Sequence, residues 1–320
     1  MRTRIKRVLK ETPFWLEAGN VPGLSVALLE NGKTREVLHF GSTDLGGKAR
    51  VTDSTIFPAA SLSKQAFLYA ALKVVETGEI DLDRPLMAYR DKPFGLDDPD
   101  IGRITARHVL THTTGWPNWP EKDHPIERTG APGKQWGYSG AGFVFLQQAL
   151  ASILDESPED YTRRLALDPL GMRESSFVWR EAYEQTAACG SYPNGSTVEP
   201  WKPAEANGAS SLHATAREYA LLLEAYLAPE LRQTHPDVYS QQIAINARIG
   251  WTLGWGCAND ALWQWSHNEG IKSFAAIVPS RGLGIACFTN GERGQRINRE
   301  WVNAWLETDL PAFYFRVVEL

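Results

Sequence analysis

Residues 58–78 read PAASLSKQAFLYAALKVVETG, and this stretch decides the fold. Leu62, Ala66, Tyr69, Ala70, Lys73 and Val74 recur at helical spacing, and Gly78 stands where a helix C-terminus favours glycine. A helix that starts near Ser61 places Ser61 and Lys64 one turn apart on the same face. Serine becomes a nucleophile when a neighbouring base takes its proton, and a lysine kept neutral by burial is such a base. The free N–H groups and positive dipole end of the helix favour the negative charge that then develops. The plainer reading is an N-cap serine followed by an exposed lysine. Ser61 is the only serine in the chain with a lysine three residues on.

The chain around this stretch has 320 residues, enough for one large domain or two intimate ones. A hydrophobic content of 43% with 12 tryptophans supplies a sizeable core. The net charge of −5, with no basic run or basic-aromatic stripe, argues against nucleic acid or an anionic membrane as partner. Cys189, Cys257 and Cys287 are few, odd in number and far apart. That argues against a disulfide framework or a cysteine-ligated zinc site and suggests three small buried residues. Met1 to Thr12 is basic and has no apolar run behind it, so it reads as an amphipathic helix with Ile5, Val8, Leu9 and later Phe14 and Trp15. No stretch approaches the ~20 apolar residues of a spanning helix, so a cytoplasmic location is expected.

Working outward, Leu24 to Glu30 and Glu36 to Phe40 are strands joined by the hairpin signal Asn31-Gly32. Gly41 to Asp53 is a loop or bulged strand. From Gly78 to about Asn207 the periodicity is helical, at Thr105 to Leu110, Ala141 to Leu154 and Pro158 to Leu167. Ala214 to Leu227 is a further helix with Thr215 as its cap. Strands return at Trp251 to Trp255, Trp263 to Trp265, Phe274 to Val278 and Leu283 to Phe288, with Pro279 to Gly282 as a turn. A final helix, Gln295 to Leu306, carries Ile297, Trp301, Val302 and Trp305 on one face. The expected class is α+β. An antiparallel sheet made from both ends of the chain is flanked by helices (residues 1–80 and 208–320), with a mostly helical insertion (81–207) between.

A second constellation precedes the Ala141 helix: Pro132-Gly133, then Tyr138-Ser139-Gly140. A tyrosine at the mouth of such a loop is aimed into a cleft, and a nearby Lys64 cation would lower its pKa. Taken together, Ser61-x-x-Lys64 and Tyr138-Ser139-Gly140 resemble the serine β-lactamase and penicillin-binding-protein superfamily. The nearest resemblance is to class C β-lactamases and the family VIII esterases. Val21-Pro22-Gly23, Leu110 to Gly115, Asp168 to Met172 and Leu212 to Glu218 extend it, in order, over nearly the whole chain.

The resemblance implies that Ser61 is acylated, Lys64 is the general base and Tyr138 shuttles the proton, in a cleft between a sandwich and a helical domain. It implies a small-molecule ester or amide substrate and calls for no cofactor and no metal; it leaves the oligomeric state open. Two departures stand out. Gly140 replaces the asparagine that usually ends the second motif; the other Tyr-x-Asn, Tyr192-Pro193-Asn194, reads as a surface turn. The third motif has two registers on the late strand. In one, Gln264-Trp265-Ser266 occupies it, and the His267 N–H joins that of Ser61 as oxyanion donor. In the other, His267 is the motif residue and Gly270 supplies the N–H. The first provides no cation for a substrate carboxylate. Both departures favour carboxylic esters over β-lactams or D-amino-acid peptides. An acyltransferase and a catalytically silent binding protein are the remaining alternatives.

Trp116, Trp119, Trp136, Trp251, Trp255 and Trp265 fall near these segments, half of them expected to pack the core. Trp116, Trp136, Trp265 and Asn118 are taken as substrate-binding, with Gly140 and Gln264; His213 is a weaker rim candidate. Gly137 to Ala141 nearly matches a nucleophile elbow around Ser139, but no strand precedes it. His108 and His112 have helical metal spacing without the metalloprotease glutamate, and read as structural histidines.

Overall fold

The computed structural model describes residues 3–90, 95, 97–121 and 126–315. Its main element is an eight-stranded antiparallel sheet. In chain order the strands are β1 (Gly23–Glu30), β2 (Lys33–Gly41), β3 (Ile243–Ala244), β4 (Gly250–Trp251), β5 (Gly256–Ala258), β6 (Ala261–Asn268), β7 (Ile271–Val278) and β8 (Leu283–Thr289). Their order across the sheet is β2-β1-β8-β7-β6-β5-β4-β3, so β1 pairs with β8 and closes the two ends of the chain into one layer. Asn31 and Gly32 both have positive φ (55° and 73°), the conformation that a two-residue hairpin turn demands.

Helices α1 (Thr3–Gly19) and α5 (Gly294–Leu306) cover one face; α2 (Ser63–Glu76) and α4 (Ala216–Leu227) pack on the other. The period of two along the strands sorts the side chains between them. Leu24, Val26, Leu28, Phe274, Ala276, Ile285 and Cys287 join Ile5, Val8, Ile297, Trp301 and Trp305. Ala27, Ala275, Ala286, Ile277 and Phe288 join Leu62, Ala66, Tyr219 and Leu223. The run of alanines lets α4 approach the sheet closely. Trp301 Nε1 donates to Thr12 Oγ1 at 3.0 Å and Trp305 Nε1 to the Leu29 carbonyl at 3.1 Å, tying both outer helices together and to the sheet. The α+β sandwich read from the sequence is the observed fold.

Helix α3 (Gly140–Leu154) and shorter helices lie between the two strand-forming ends. Local differences from the expected elements have physical causes. The first helix runs through Pro13 to Gly19 with Ile5, Val8 and Leu16 as its buried stripe, whereas Phe14, expected on the apolar face, is exposed; Met1 and Arg2 lie outside the described residues. The strand expected over Trp251 to Trp255 is two short strands around a turn. Gly254 there has φ +97° and presses against Leu68, and its carbonyl accepts from Gln65 Nε2 at 2.9 Å. Pro158 to Leu167 is helical, but its second half widens to a π turn. Cys257 and Cys287 are buried and free; Cys189 is only half-buried, against expectation. No helix among the described residues is long and apolar enough to cross a membrane.

Gly294 starts α5 flush against the sheet: an added Cβ would lie 1.7 Å from Thr289 Oγ1 and 2.7 Å from Thr289 Cβ. Gly294→Ala is therefore expected to cost about 2 kcal/mol in urea denaturation through overpacking. Gly102→Ala, where nothing lies within 4 Å, is expected to be neutral or stabilising by ~0.5 kcal/mol.

Candidate active site

Helix α2 begins two residues later than its apolar pattern suggested. Ala60–Leu62 form a 3-10 turn in front of it, and Ala60 takes φ +45°, a left-handed conformation that costs a residue with a Cβ free energy. Ser61 therefore sits in the turn, partly exposed, and caps nothing. The turn is held from one neighbouring segment: Ala59 N–H donates to the Leu212 carbonyl (2.7 Å), and Leu212 N–H donates to Ser63 Oγ (2.8 Å). Tyr219 Oη donates to the Leu62 carbonyl at 3.0 Å.

Lys64 reaches back along this turn. Its side chain is 1% exposed, and Nζ lies 3.4 Å from Ser61 Oγ and 2.7 Å from the Ala209 carbonyl. The ammonium stands 4.8 Å over the Tyr138 ring and 5.3 Å over Phe143. Lys64 forms no ion pair among the described residues, so nothing offsets the cost of its charge; burial lowers its pKa to about 7. The Ala209 carbonyl is a partner that the sequence offered no sign of.

Tyr138 arrives just before α3. Ser139 caps that helix, accepting from Gly142 N–H at 3.1 Å and donating to the Pro117 carbonyl at 2.9 Å, so it is an N-cap and not an elbow nucleophile. His112, in a left-handed conformation (φ +53°), accepts the Ser139 N–H on Nδ1 at 3.1 Å and lies 4.3 Å from the Tyr138 ring. Burial holds its pKa well down. It is a structural neutral histidine, as its sequence context indicated, but one that sets the Tyr138 loop. The expected lowering of the Tyr138 pKa is reversed. Burial is the largest effect and pushes the phenol above its ordinary value, outweighing its hydrogen bonds to Ser61 and Gln264; an amine that is itself half neutral near pH 7 supplies little cation.

From β6, Gln264 Nε2 donates to the Ser61 carbonyl (3.3 Å) and to Tyr138 Oη (3.2 Å). Trp265 packs on Tyr138 at 4.8 Å. Ser266 is fully buried, and its Oγ has no hydrogen-bond partner. The His267 ring is 45% exposed with Nε2 3.3 Å from Glu292 Oε1; Glu292 also binds Lys272 Nζ (2.8 Å) and the Gly270 N–H (3.0 Å). Glu292 thus anchors the β6–β7 turn, which sequence reading missed.

Among the remaining candidates, Trp116 is corrected. It is 0% exposed, and its indole donates to Asp98 Oδ2, itself paired with Arg128, so it is core and not a substrate wall. Trp251 and Trp255 are core as well. Trp136 is half-buried behind Tyr138, packed on Trp251. Asn118 is exposed, and its Oδ1 and carbonyl both accept from Gly140 N–H at about 3 Å. Trp119 is 49% exposed and lies over Gly140: an added Cβ there would be 2.5 Å from its indole. His213 is buried, its Nδ1 2.9 Å from the Ser211 carbonyl, away from any rim. His108 completes the capping box of its own short helix, its Nδ1 accepting the N–H of the N-cap Thr105 at 3.3 Å. Tyr192 to Asn194 form a turn closed by Gly195 N–H to the Tyr192 carbonyl.

The Beta-lactamase family profile matches residues 5–308. The protein flp of Staphylococcus aureus strain MRSA252 is 23% identical over 91% of this chain and 63% of its own length. A beta-lactamase of Yersinia enterocolitica is 23% identical over 68% of this chain and 58% of its own length. The chain thus spans less than two thirds of these relatives. Similar solved structures are the octameric penicillin-binding protein homologue from Pyrococcus abyssi (TM-score 0.81, 19% identity, covering 97% of this chain and 80% of that one). The D-alanine carboxypeptidase AmpC from Burkholderia cenocepacia also matches (0.81, 18%, 95% and 98%), as does a class C beta-lactamase (0.79, 19%, 94% and 96%).

Burying Lys64 carries a stability cost. The unfolded chain holds a proton up to its ordinary value of 10.5, whereas the folded state releases it above about 7. The penalty is full below the lower value and vanishes as pH rises through the upper one. Lys64→Met is expected to raise unfolding free energy at pH 7 by roughly 2–4 kcal/mol, less toward pH 10, measured by urea denaturation at both pH values.

Proposed function

The chain belongs to the Beta-lactamase family, and from that premise we propose that it is a serine hydrolase that cleaves carboxylic esters through an acyl-enzyme on Ser61. The observation that carries this reading is a buried amine without a counterion, 3.4 Å from the Ser61 hydroxyl. With its pKa near 7, Lys64 is neutral often enough at physiological pH to take the Ser61 proton as Oγ attacks the carbonyl carbon. Tyr138, which keeps its own proton, gives it to the departing alkoxide; Lys64 then restores it. Water repeats the sequence in reverse to release the acid.

The oxyanion donors are assigned to the N–H groups of Ser61 and His267. Register supports the second. The two-residue turn Glu269–Gly270 joins Asn268 to Ile271, so alternate residues Trp265 and His267 direct their backbone groups away from β7. β5 covers β6 only as far as Trp263, which leaves that edge open beside Ser61. Each such donor is worth about 3–4 kcal/mol in the transition state. Gln264, bonded to Ser61 and Tyr138, favours the Gln264-Trp265-Ser266 register of the third motif.

Two features favour neutral esters over β-lactams or peptides. The third-motif position next to Tyr138 is an uncharged amide, and the second motif ends in Gly140, which has no side chain to bind a substrate amide. The second reading, a β-lactamase or D-amino-acid peptidase, draws support from the activities named for the Yersinia relative and the Burkholderia structure. The sandwich and helical units at 1–80 with 208–320 and 81–207 are proposed as the two walls of the site.

Hydrolysis of p-nitrophenyl butyrate and of a chromogenic cephalosporin separates the readings. Wild-type protein is expected to turn over the ester at least about tenfold faster than the cephalosporin, and Ser61→Ala to lower ester kcat about 10³-fold or more. Ester kcat/KM should climb with pH along an acid limb near 7, the Lys64 value. Activity that survives Ser61→Ala overturns Ser61 as the nucleophile.

A further inference from the structure

Gly140 is the first residue of α3, and its backbone does not call for glycine, since it takes no positive φ. Alanine forms helices better and loses less chain entropy on folding, so a helical glycine with an ordinary φ is explained by what a side chain would meet there. At Gly140 that is one residue. An added Cβ would lie 2.5, 2.6 and 3.0 Å from its three nearest neighbours, and all three are atoms of the Trp119 indole. The glycine makes room for the indole.

The segment that carries Trp119 is pinned to the start of α3. Ser139 Oγ donates to the Pro117 carbonyl at 2.9 Å. The Asn118 carbonyl accepts from the N–H groups of Gly140 and Ala141 (3.0 and 2.9 Å), and Asn118 Oδ1 accepts from Gly140 N–H as well (2.9 Å). The side on which the indole stands follows from Ser139, whose backbone is extended (φ −139°, ψ 113°). Successive side chains of an extended backbone point to opposite sides. Ser139 turns inward and is 1% exposed, so Tyr138 and the bare position at Gly140 share the other side. Tyr138 Oη accepts from Gln264 Nε2, which also donates to the Ser61 carbonyl. The indole therefore borders the site, and Trp119 is 49% exposed there, with apolar surface left for a ligand to cover.

We infer that Trp119 is a specificity-determining residue: its indole takes the space that a side chain at position 140 would fill and binds an alkyl or aryl group of the substrate ester. This rests on the acyl-enzyme reading above and narrows it to esters with a sizeable apolar substituent. Each methylene that the indole covers leaves water, and an aromatic group gains ring contact besides. Trp119 and Gly140 act as a matched pair, in which the glycine has no role of its own beyond admitting the ring.

The test reads selectivity in two series. One is the ratio of kcat/KM on p-nitrophenyl hexanoate to that on p-nitrophenyl acetate; the other is the ratio on benzyl butyrate to that on ethyl butyrate. Trp119→Ala is expected to lower at least one ratio about tenfold, the size of a few methylenes or a ring losing an apolar wall. Gly140→Ala pushes the indole aside and is expected to lower the same ratio by about as much. In the Trp119→Ala background the added Cβ finds the indole gone. There Gly140→Ala is expected to leave the ratio where Trp119→Ala put it and to raise the urea midpoint, as alanine does where the backbone fits. Ratios that neither single substitution moves overturn the inference, as do losses that add up in the double variant. Labelling of Ser61 by a p-nitrophenyl phosphonate, read by mass, is run alongside. A wild-type protein that neither labels nor hydrolyses overturns the acyl-enzyme reading and this inference with it; normal labelling with unmoved ratios confines the failure to Trp119.

Discussion

The site depends on one constraint: an amine buried with no negative charge beside it. Lys64 is enclosed by α2, the Ala209 carbonyl and the rings of Tyr138 and Phe143. A carboxylate in that shell would keep the lysine protonated and end its use as a base. What surrounds it is a carbonyl and aromatic faces, which bind an amine without fixing its charge. Much of the nearby structure keeps this shell closed: the clamp from Ala59 to Leu212, the Tyr219 hydroxyl on Leu62 and Gln65 on Gly254 all hold the start of α2 in place.

The same avoidance of charge extends across the site. Gln264 occupies the third-motif position as a neutral donor, His112 is held neutral beneath Tyr138, and Gly140 presents no side chain. The charged groups nearby are occupied with each other. Glu292 gathers Lys272, the Gly270 N–H and the His267 ring at the far end of β6. Asp98 takes Arg128 and Trp116 inside the helical segment. A substrate that brings its own carboxylate finds no fixed cation among Ser61, Lys64, Tyr138 and Gln264 to meet it, which is the physical basis of the ester preference proposed above.

How much of this was legible in the sequence follows from what each feature depends on. Sheet and helices were readable because strand alternation and helical spacing are local: the Asn31-Gly32 turn, the Thr215 cap and the Trp301 face of α5 all stand where the pattern put them. Ser61 and Lys64 were readable as a pair because their spacing is local, and Tyr138 because its loop resembles the superfamily's second motif; the fold brings the three side chains together. The Trp251 to Trp255 turn was not, since it exists to let Gly254 meet Leu68 and Gln65 across the fold. Trp116 was misplaced for a related reason: an indole beside a cleft segment and an indole paired to a distant Asp98 look alike in sequence. The direction of the Tyr138 shift was inverted because proximity to a lysine was weighed without its burial. The Ala209 carbonyl and Glu292 left no trace at all, as a backbone acceptor has no side-chain identity and a lone glutamate has no pattern.

Neutrality also explains how so few groups suffice. In the half of the molecules whose Lys64 is neutral near pH 7, with Tyr138 protonated, the four side chains at the centre carry no net charge before reaction. In the proposed reaction the first full charges then appear during attack, as an oxyanion on the substrate and an ammonium on Lys64. In a medium of low effective dielectric that pair attracts far more strongly than it would in water. No ion pair among the described residues competes for the ammonium, and the backbone N–H groups of Ser61 and His267 are the proposed partners of the oxyanion. The cost of burying Lys64 is met in the resting protein; the attraction is gained only as bonds change, which is where stabilisation accelerates a reaction.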